Sequence, residues 1–298
     1  GLAEAYADNT AYGDSNRAGN DTIRGSDGDN SGANVMAGDA QAISDTDAAA
    51  YGNNTAGDGG EGSNNWAGND SIIGALNDGD TISGGSQAIA PNSAYSDQNN
   101  LADGGTGNRA GTDTISAGGG ANVVAGDAQA ISEGASTATA YGDNTTTGDG
   151  DGTENLAGND SIFAGTGSDS ISGGAQAIGS TTAYAQQANT AAGGFGASHK
   201  AGNDSISASS GDNVVAGDAQ ALSSGGTATA YSDNLADGFE GAQAGDDSIS
   251  ALGGADSLAG DAQASSYGDA LADADNDASD GQDKRAGNDS ISASAGEN

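Results

Sequence analysis

AGTDTISAGGGANVVAG, residues Ala110 to Gly126, states one short phrase twice. Gly111, Asp113 and Ile115 form a Gly-x-Asp-x-aliphatic step, and nine residues later Gly120, Asn122 and Val124 repeat it with Asn for Asp. Each phrase offers one large aliphatic side chain between Gly, Asp and Asn, which are turn residues. A strand that short cannot bury a core by itself. It becomes stable only when similar strands stack on it, which is the logic of a solenoid.

The rest of the chain supplies the copies. The tetrapeptide Ala-Gly-Asn-Asp or a close variant ends at Asp21, Asp70, Asp113, Asp160, Asp204, Asp247 and Asp289, every 42 to 49 residues. An Ile follows two residues after each of these Asp. A second acid or amide with its own aliphatic comes later in the unit, at Asp80, Asn122, Asp169, Asn213 and Asp256. Next comes a Gln column (Gln41, Gln87, Gln129, Gln176, Gln220, Gln263), then a Tyr column (Tyr6, Tyr51, Tyr95, Tyr141, Tyr184, Tyr231). Residues 1–298 therefore read as one continuous array, with units starting near 18, 67, 110, 157, 201, 244 and 286. Both ends fall inside a unit, so the reading expects a window on a longer array.

A longer period overlies the 45-residue one. Arg17, Arg109, Lys200 and Arg285 stand before the Ala-Gly step in odd units, where even units have Trp66, Leu156 and Gln243. Odd units read NVxAGDAQ, even units DxISGGxQ and the sixth mixes the two, so the full period is about 90 residues. Two explanations fit: duplication of a two-unit block, or a row of cations that docks on acidic neighbours.

Composition narrows the class. With 54 Gly, 3 Phe and 1 Trp in 298 residues, there is no material for an ordinary globular core. The net charge of -37 argues against nucleic acid and anionic membranes and for a cation partner. No apolar run approaches membrane length, and the absence of Cys excludes disulfides and thiolate metal sites. No nucleophile-base set, phosphate loop or zinc spacing appears, so no enzyme is expected.

The nine-residue step of Ala110–Gly126, with its relatives GTGSDSISGG (165–174) and AGDDSISALGGADSLAG (244–260), resembles the RTX, or hemolysin-type, calcium-binding nonapeptide. The resemblance implies an all-β fold, a parallel β-roll or β-solenoid, with about two coils in each 45-residue unit and a length on the order of 60 Å at strand spacing. It implies several Ca²⁺ ions held between coils by Asp carboxylates and glycine-loop carbonyls. By position the ligands are Asp21, Asp70, Asp113, Asp160, Asp204, Asp247 and Asp289, then Asp80, Asp169 and Asp256, with Asn122 and Asn213 as neutral versions. The loop glycines are Gly19, Gly68, Gly111, Gly158, Gly202, Gly245 and Gly287.

Ca²⁺ takes about 6–8 oxygen ligands, and this chain departs from the family in how it could supply them. The family places partner ligands eighteen residues apart. Here only Asp21 finds an acid at that step, Asp39. Further ligands are expected among Asp127, Asp218 and Asp261, or among the acids after Tyr: Asp97, Asp143, Asp233 and Asp269. The alternative is that these side chains only form Asx-turns at coil corners. The Gln column can be an amide ladder on either face, and the Tyr column a stacked ladder or a carbohydrate platform.

These features point to a secreted, calcium-stabilised structural protein whose copies stack into a fibre, surface layer or matrix component. Its expected place is extracellular or on a bacterial surface, reached by type I secretion. Two alternatives share the repeats: an extender or ice-binding segment of an adhesin, and the calcium-binding module of an exported enzyme. The ice reading wants a row of Thr before the aliphatic, where this chain has Thr22, Ser71, Thr114, Ser161, Ser205, Ser248 and Ser290.

Overall fold

The computed structural model describes residues 2–11, 17–24, 35–44, 47–56, 66–73, 80–103, 109–117, 121–132, 137–147, 156–165, 167–192, 200–209, 213–224, 226–237, 242–252, 256–266, 269–279 and 285–294. Among them every regular element is a strand, and all strand pairs are parallel. In the unit that opens at Trp66 the strands are Trp66–Ala67, Ser71–Ile73, Thr81–Ser83, Gln87–Ile89 and Ser93–Asp103. Each pairs with its counterpart one unit away, giving five sheets of six or seven strands along one axis. We call them the entry, Ile, second aliphatic, Gln and long sheets.

One unit is therefore one coil. Ile72 lies beside Ile23 and Ile115, and Ile82 beside Met36 and Val124, all from adjacent units. This corrects the expectation of two coils per unit. The two nonapeptide phrases do not make a small coil of their own; they form two of the five strands of a larger one. The described stack is about 30 Å long at strand spacing, half the expected length.

The apolar interior is divided. The Ile and second aliphatic sheets pack on each other through Ile72, Ile82, Ile115, Val124, Ile162, Ile171, Ile206, Val215 and Ile249. A single buried Ile stabilises by roughly 1.5–3 kcal/mol, so seven stacked coils succeed where one would fail. The long sheet packs over its first half on the Gln sheet, Ala against Ala. Over its second half it packs on the entry sheet, again Ala against Ala. Strand Thr182–Ala192 alternates strictly between buried and half-buried positions, as a strand with one inner face should.

Register settles both ladders. In the Gln sheet Ala42, Ala88, Ala130, Ala177 and Ala221 face the long sheet, so Gln and the following aliphatic lie on the other face. The amides join in an unbroken ladder, with Gln41→Gln87 2.8 Å, Gln87→Gln129 2.6 Å, Gln129→Gln176 2.9 Å, Gln176→Gln220 2.7 Å and Gln220→Gln263 3.0 Å between donor and acceptor. Tyr stands on the outer face of the long sheet but not in one row. Tyr51 pairs with Asp97, whereas Tyr95 pairs with Ala49, a two-residue stagger that keeps the face and zigzags the rings. Tyr6 and Tyr51 stack at 4.8 Å; the later rings tilt at 5.4 to 5.8 Å.

Candidate metal centre

Between the entry and Ile strands the chain turns at Ala-Gly-Asn-Asp. All seven glycines of this turn, Gly19, Gly68, Gly111, Gly158, Gly202, Gly245 and Gly287, sit in the left-handed region at φ 52 to 60°, where a side chain is strained. At Gly111 a second reason applies: a methyl group there would overlap Asn144 of the long sheet. The turn thus presses backbone against a buried amide and points the following Asp inward.

The Asp column forms a ladder across coils. Oδ1 of Asp70, Asp113, Asp160, Asp204 and Asp247 accepts the backbone N–H of the corresponding Asp one coil back, at 2.6 to 2.8 Å. Asp289 accepts that of Asp247 at 3.2 Å. Oδ2 of Asp70, Asp113, Asp160, Asp204 and Asp247 is buried and has no hydrogen-bond partner. Each of these oxygens lies at the corner between the second aliphatic and Gln strands. A methyl added to Gly84 there would overlap both Asp113 Oδ2 and the carbonyl oxygen of Gly126; Gly38, Gly126, Gly173 and Gly217 repeat the arrangement with the next Asp and Gly. Carboxylate and carbonyl oxygens converge on one spot, coil after coil.

A second set of carboxylates enters at the same corner. Asp127 is 1% exposed, and its Oδ1 has no partner. One carboxylate oxygen each from Asp113, Asp127 and Asp160 lies within 4.8 Å of the others, and Asp218, Asp247 and Asp261 make a similar group. Asp39 Oδ1 is likewise buried and unpartnered. Burial, then the neighbouring carboxylates, push Asp113, Asp160, Asp204 and Asp247 well above the ordinary carboxylate range. Burial lifts Asp70 to about 9, Asp218 to about 8, Asp127 to about 7, and Asp39 and Asp261 to about 6. Anions in such a row need a cation between them. The donor set is oxygen throughout, which fits a hard divalent ion such as Ca²⁺.

The other expected ligands divide into two groups. Asp80, Asn122, Asp169, Asn213 and Asp256 make a second buried ladder, in which Asn122 donates from Nδ2 to Asp169 and Asn213 to Asp256, both at 3.0 Å. Asp169 Oδ2 and Asp256 Oδ2 are buried without partners. Asp97, Asp143 and Asp233 lie on the outer face of the long sheet, away from the corner row, and Asp269 is exposed just before the last long strand. Asp97 there accepts hydrogen bonds from the Tyr95 hydroxyl and Asn99. Asp21 and Asp289, at the two ends of the described stack, are exposed. The carbonyls beside the row belong to the corner glycines Gly84, Gly126, Gly173, Gly217 and Gly260, not to the glycines expected as ligands.

One element of the centre is absent from the expectations. Asn9, Asn54, Asn100, Asn144, Asn189, Asn234 and Asn276 form a continuous amide ladder on the inner face of the long sheet, at 2.9 to 3.0 Å. The second N–H of these amides goes to the corner acids: Asn54 to Asp39, Asn144 to Asp127, Asn234 to Asp218, Asn276 to Asp261. Gln98 and Gln187 add donors to Asp39 and Asp127. This wall of donors holds one oxygen of Asp39 and of Asp127 and leaves the other free, whereas both oxygens of Asp218 accept, Oδ1 from Asn189 and Oδ2 from Ser232 and Asn234.

The partner carboxylates in this centre come from the same coil, 14 residues apart (Asp113 and Asp127, Asp247 and Asp261), and from the neighbouring coil (Asp160, Asp218), and not from the eighteen-residue step of the family pattern. The family model "RTX calcium-binding nonapeptide repeat (4 copies)" matches residues 17–32, 109–130, 156–177, 200–221 and 242–266. No curated protein and no solved structure matches the chain. The matched segments carry the turn, the Asp column and, in four of the five, the corner acid or glycine, so the centre is assembled from the repeat itself. The chain carries RTX calcium-binding nonapeptide repeats, set in units of about 45 residues, and Ca²⁺ is its cofactor.

Proposed function

We propose that this protein is a secreted structural rod in which calcium bound along the corner row stiffens the stack, so that its copies build an extracellular fibre, surface layer or matrix. The observation that carries it is the row of unpartnered buried carboxylate oxygens, repeated at every coil from Asp70 to Asp247. Binding energy spread evenly along an axis rigidifies a rod, whereas a catalytic site needs one unique constellation. The ligands in this reading are Oδ2 of the Asp column, the corner glycine carbonyls, and Asp39, Asp127, Asp218 and Asp261. Asp169 and Asp256 serve a second row. Export by type I secretion to an external, calcium-rich medium agrees with a chain that folds on meeting the ion. No helix among the described residues is long and apolar enough to cross a membrane.

The test is electron microscopy of the purified chain with calcium and with chelator. Filaments or sheets that dissolve on chelation are expected. Discrete short rods in both conditions would remove assembly from the function and favour a spacer segment within a longer adhesin.

A further inference from the structure

Two positions, distant in sequence, change together along the stack. The residue after the corner glycine is Asp39, Asp127, Asp218 or Asp261 in four coils and Gly85 or Gly174 in the other two. A position on the inner face of the long strand is small in the first set (Gly52, Gly142, Ser232, Ala274) and Gln in the second (Gln98, Gln187). The structure gives the reason. The Gln98 side chain fills the space over Gly85, where a methyl would meet its Cδ at 2.5 Å, and Gln187 stands in the same way over Gly174. Acid with small residue and glycine with amide are two ways of filling one volume.

The two fillings differ in chemistry. Asp127 brings a buried, unpartnered Oδ1 to within 4.8 Å of the carboxylate oxygens of Asp113 and Asp160. Gln98 and Gln187 bring no charge; each donates to the corner acid of the preceding coil, reaching Asp39 Oδ2 at 2.6 Å and Asp127 Oδ2 at 2.8 Å, and to the amide oxygen of its own strand's Asn100 or Asn189. We propose that this Asp-or-Gly choice sets the calcium occupancy of the row: each corner carboxylate recruits one ion, and coils with Gly85 or Gly174 add none. The proposal rests on the corner row being a calcium site. The amides are positioning residues, which hold Oδ2 of the neighbouring carboxylate and leave Oδ1 for the ion. Coils five and six break the alternation, placing Asp218 and Asp261 in succession with Asp247 between them. They show that the fold accepts carboxylates in adjacent coils when the partner is as small as Ser232 or Ala274.

The experiment counts calcium ions on the full chain by native mass spectrometry, with circular dichroism confirming the fold. The double variant G85D/Q98A copies the natural Asp261/Ala274 pair and is expected to bind one more ion than wild type. Its neutral control, G85N/Q98A, is expected to bind none extra, and the isosteric Asp127→Asn to bind one fewer. If G85D/Q98A does not fold, D127N decides alone. A folded D127N with the wild-type count overturns the proposal, and so does a gain in G85N/Q98A equal to that in G85D/Q98A. A wild-type chain that binds no calcium, or a D113N variant that keeps every ion at unchanged affinity, instead overturns the corner row as a calcium site and takes this proposal with it.

Discussion

Calcium-free protein should fold in acid and unfold near neutrality, the reverse of ordinary acid denaturation. Burial raises Asp127 from 3.8 to about 7 and Asp218 from 3.8 to about 8. Folding without the ion therefore takes up protons. The stabilisation from these protons is complete below about pH 4 and is lost as pH rises through 7 and 8. At 1.36 kcal/mol per pKa unit, Asp127 gives up roughly 4 kcal/mol and Asp218 roughly 6 kcal/mol. Their sum, about 10 kcal/mol, is as large as the whole stability of a typical domain, about 5–15 kcal/mol, and Asp70 adds to it in the same direction. In acid a proton on Asp113 Oδ2 has the Gly126 carbonyl beside it, so the proton stands in for the cation.

The assay is far-ultraviolet circular dichroism of calcium-stripped protein between pH 4 and 9, repeated in millimolar calcium. β-Structure at pH 4 that disappears between about pH 6 and 8 is expected without the ion, and β-structure across the neutral range with it. A calcium-free chain with its full β-signal at pH 8 would refute the reasoning, because the buried carboxylates would then be tolerated as bare anions. A chain still unfolded at pH 4 would refute it too, since neutralising the row would not be enough.

Gly111→Ala puts a side chain at φ 52° and into Asn144, which bonds to Asn189 and Asp127. A loss of roughly 2–4 kcal/mol is expected from strain plus displaced buried hydrogen bonds, read by denaturant unfolding in saturating calcium; a change under about 0.5 kcal/mol would mean the turn is not tied to the amide ladder. Trp66→Ala removes a ring flanked by the Arg17 and Arg109 guanidiniums at 4.2 and 5.1 Å. Each contact is worth about 0.5–1 kcal/mol at an exposed site, and a double-mutant cycle of W66A with R109A should return a coupling of that size, with zero coupling counting against the sandwich.

The columns that build the sheets were legible because stacking demands in-register repetition: Ile72, Ile82 and Gln87 each lie beside their copies. Coil size was not, since nine-residue spacing within a coil and between coils look the same on paper. The Asn ladder was hidden by the Tyr column. Tyr51 precedes Asn54 by three residues but Tyr95 precedes Asn100 by five. Aligning units on Tyr slides even coils by two, which keeps every side chain on its face and loses the amide register. The partners of Asp113 were equally hidden: Asp127 stands 14 residues on in the same coil, a step the family pattern does not use, and Asp160 comes near only when the chain has closed a full 45-residue turn.

The 90-residue period now has a cause beyond duplication. Copies in a parallel stack sit about 4.8 Å apart, where two like charges repel by about 3.5 kcal/mol at an effective dielectric of 20. Doubling the spacing halves that cost. The cation column alternates Arg17, Trp66, Arg109, Leu156, Lys200, Gln243 and Arg285 along the entry sheet. The second acid ladder alternates Asp80, Asn122, Asp169, Asn213 and Asp256, with the amides of Asn122 and Asn213 donating to the carboxylates of Asp169 and Asp256. Corner acids alternate with Gly85 and Gly174 through the first four coils. Where a charged column can be diluted, this chain dilutes it. The Ala-Gly-Asn-Asp column is the exception: it keeps Asp in all seven units, buried from Asp70 to Asp247, with no amide between them. Repulsion left standing through every coil of this column, beside unpartnered oxygens and converging carbonyls, marks the place where the neutralising charge comes from outside the chain.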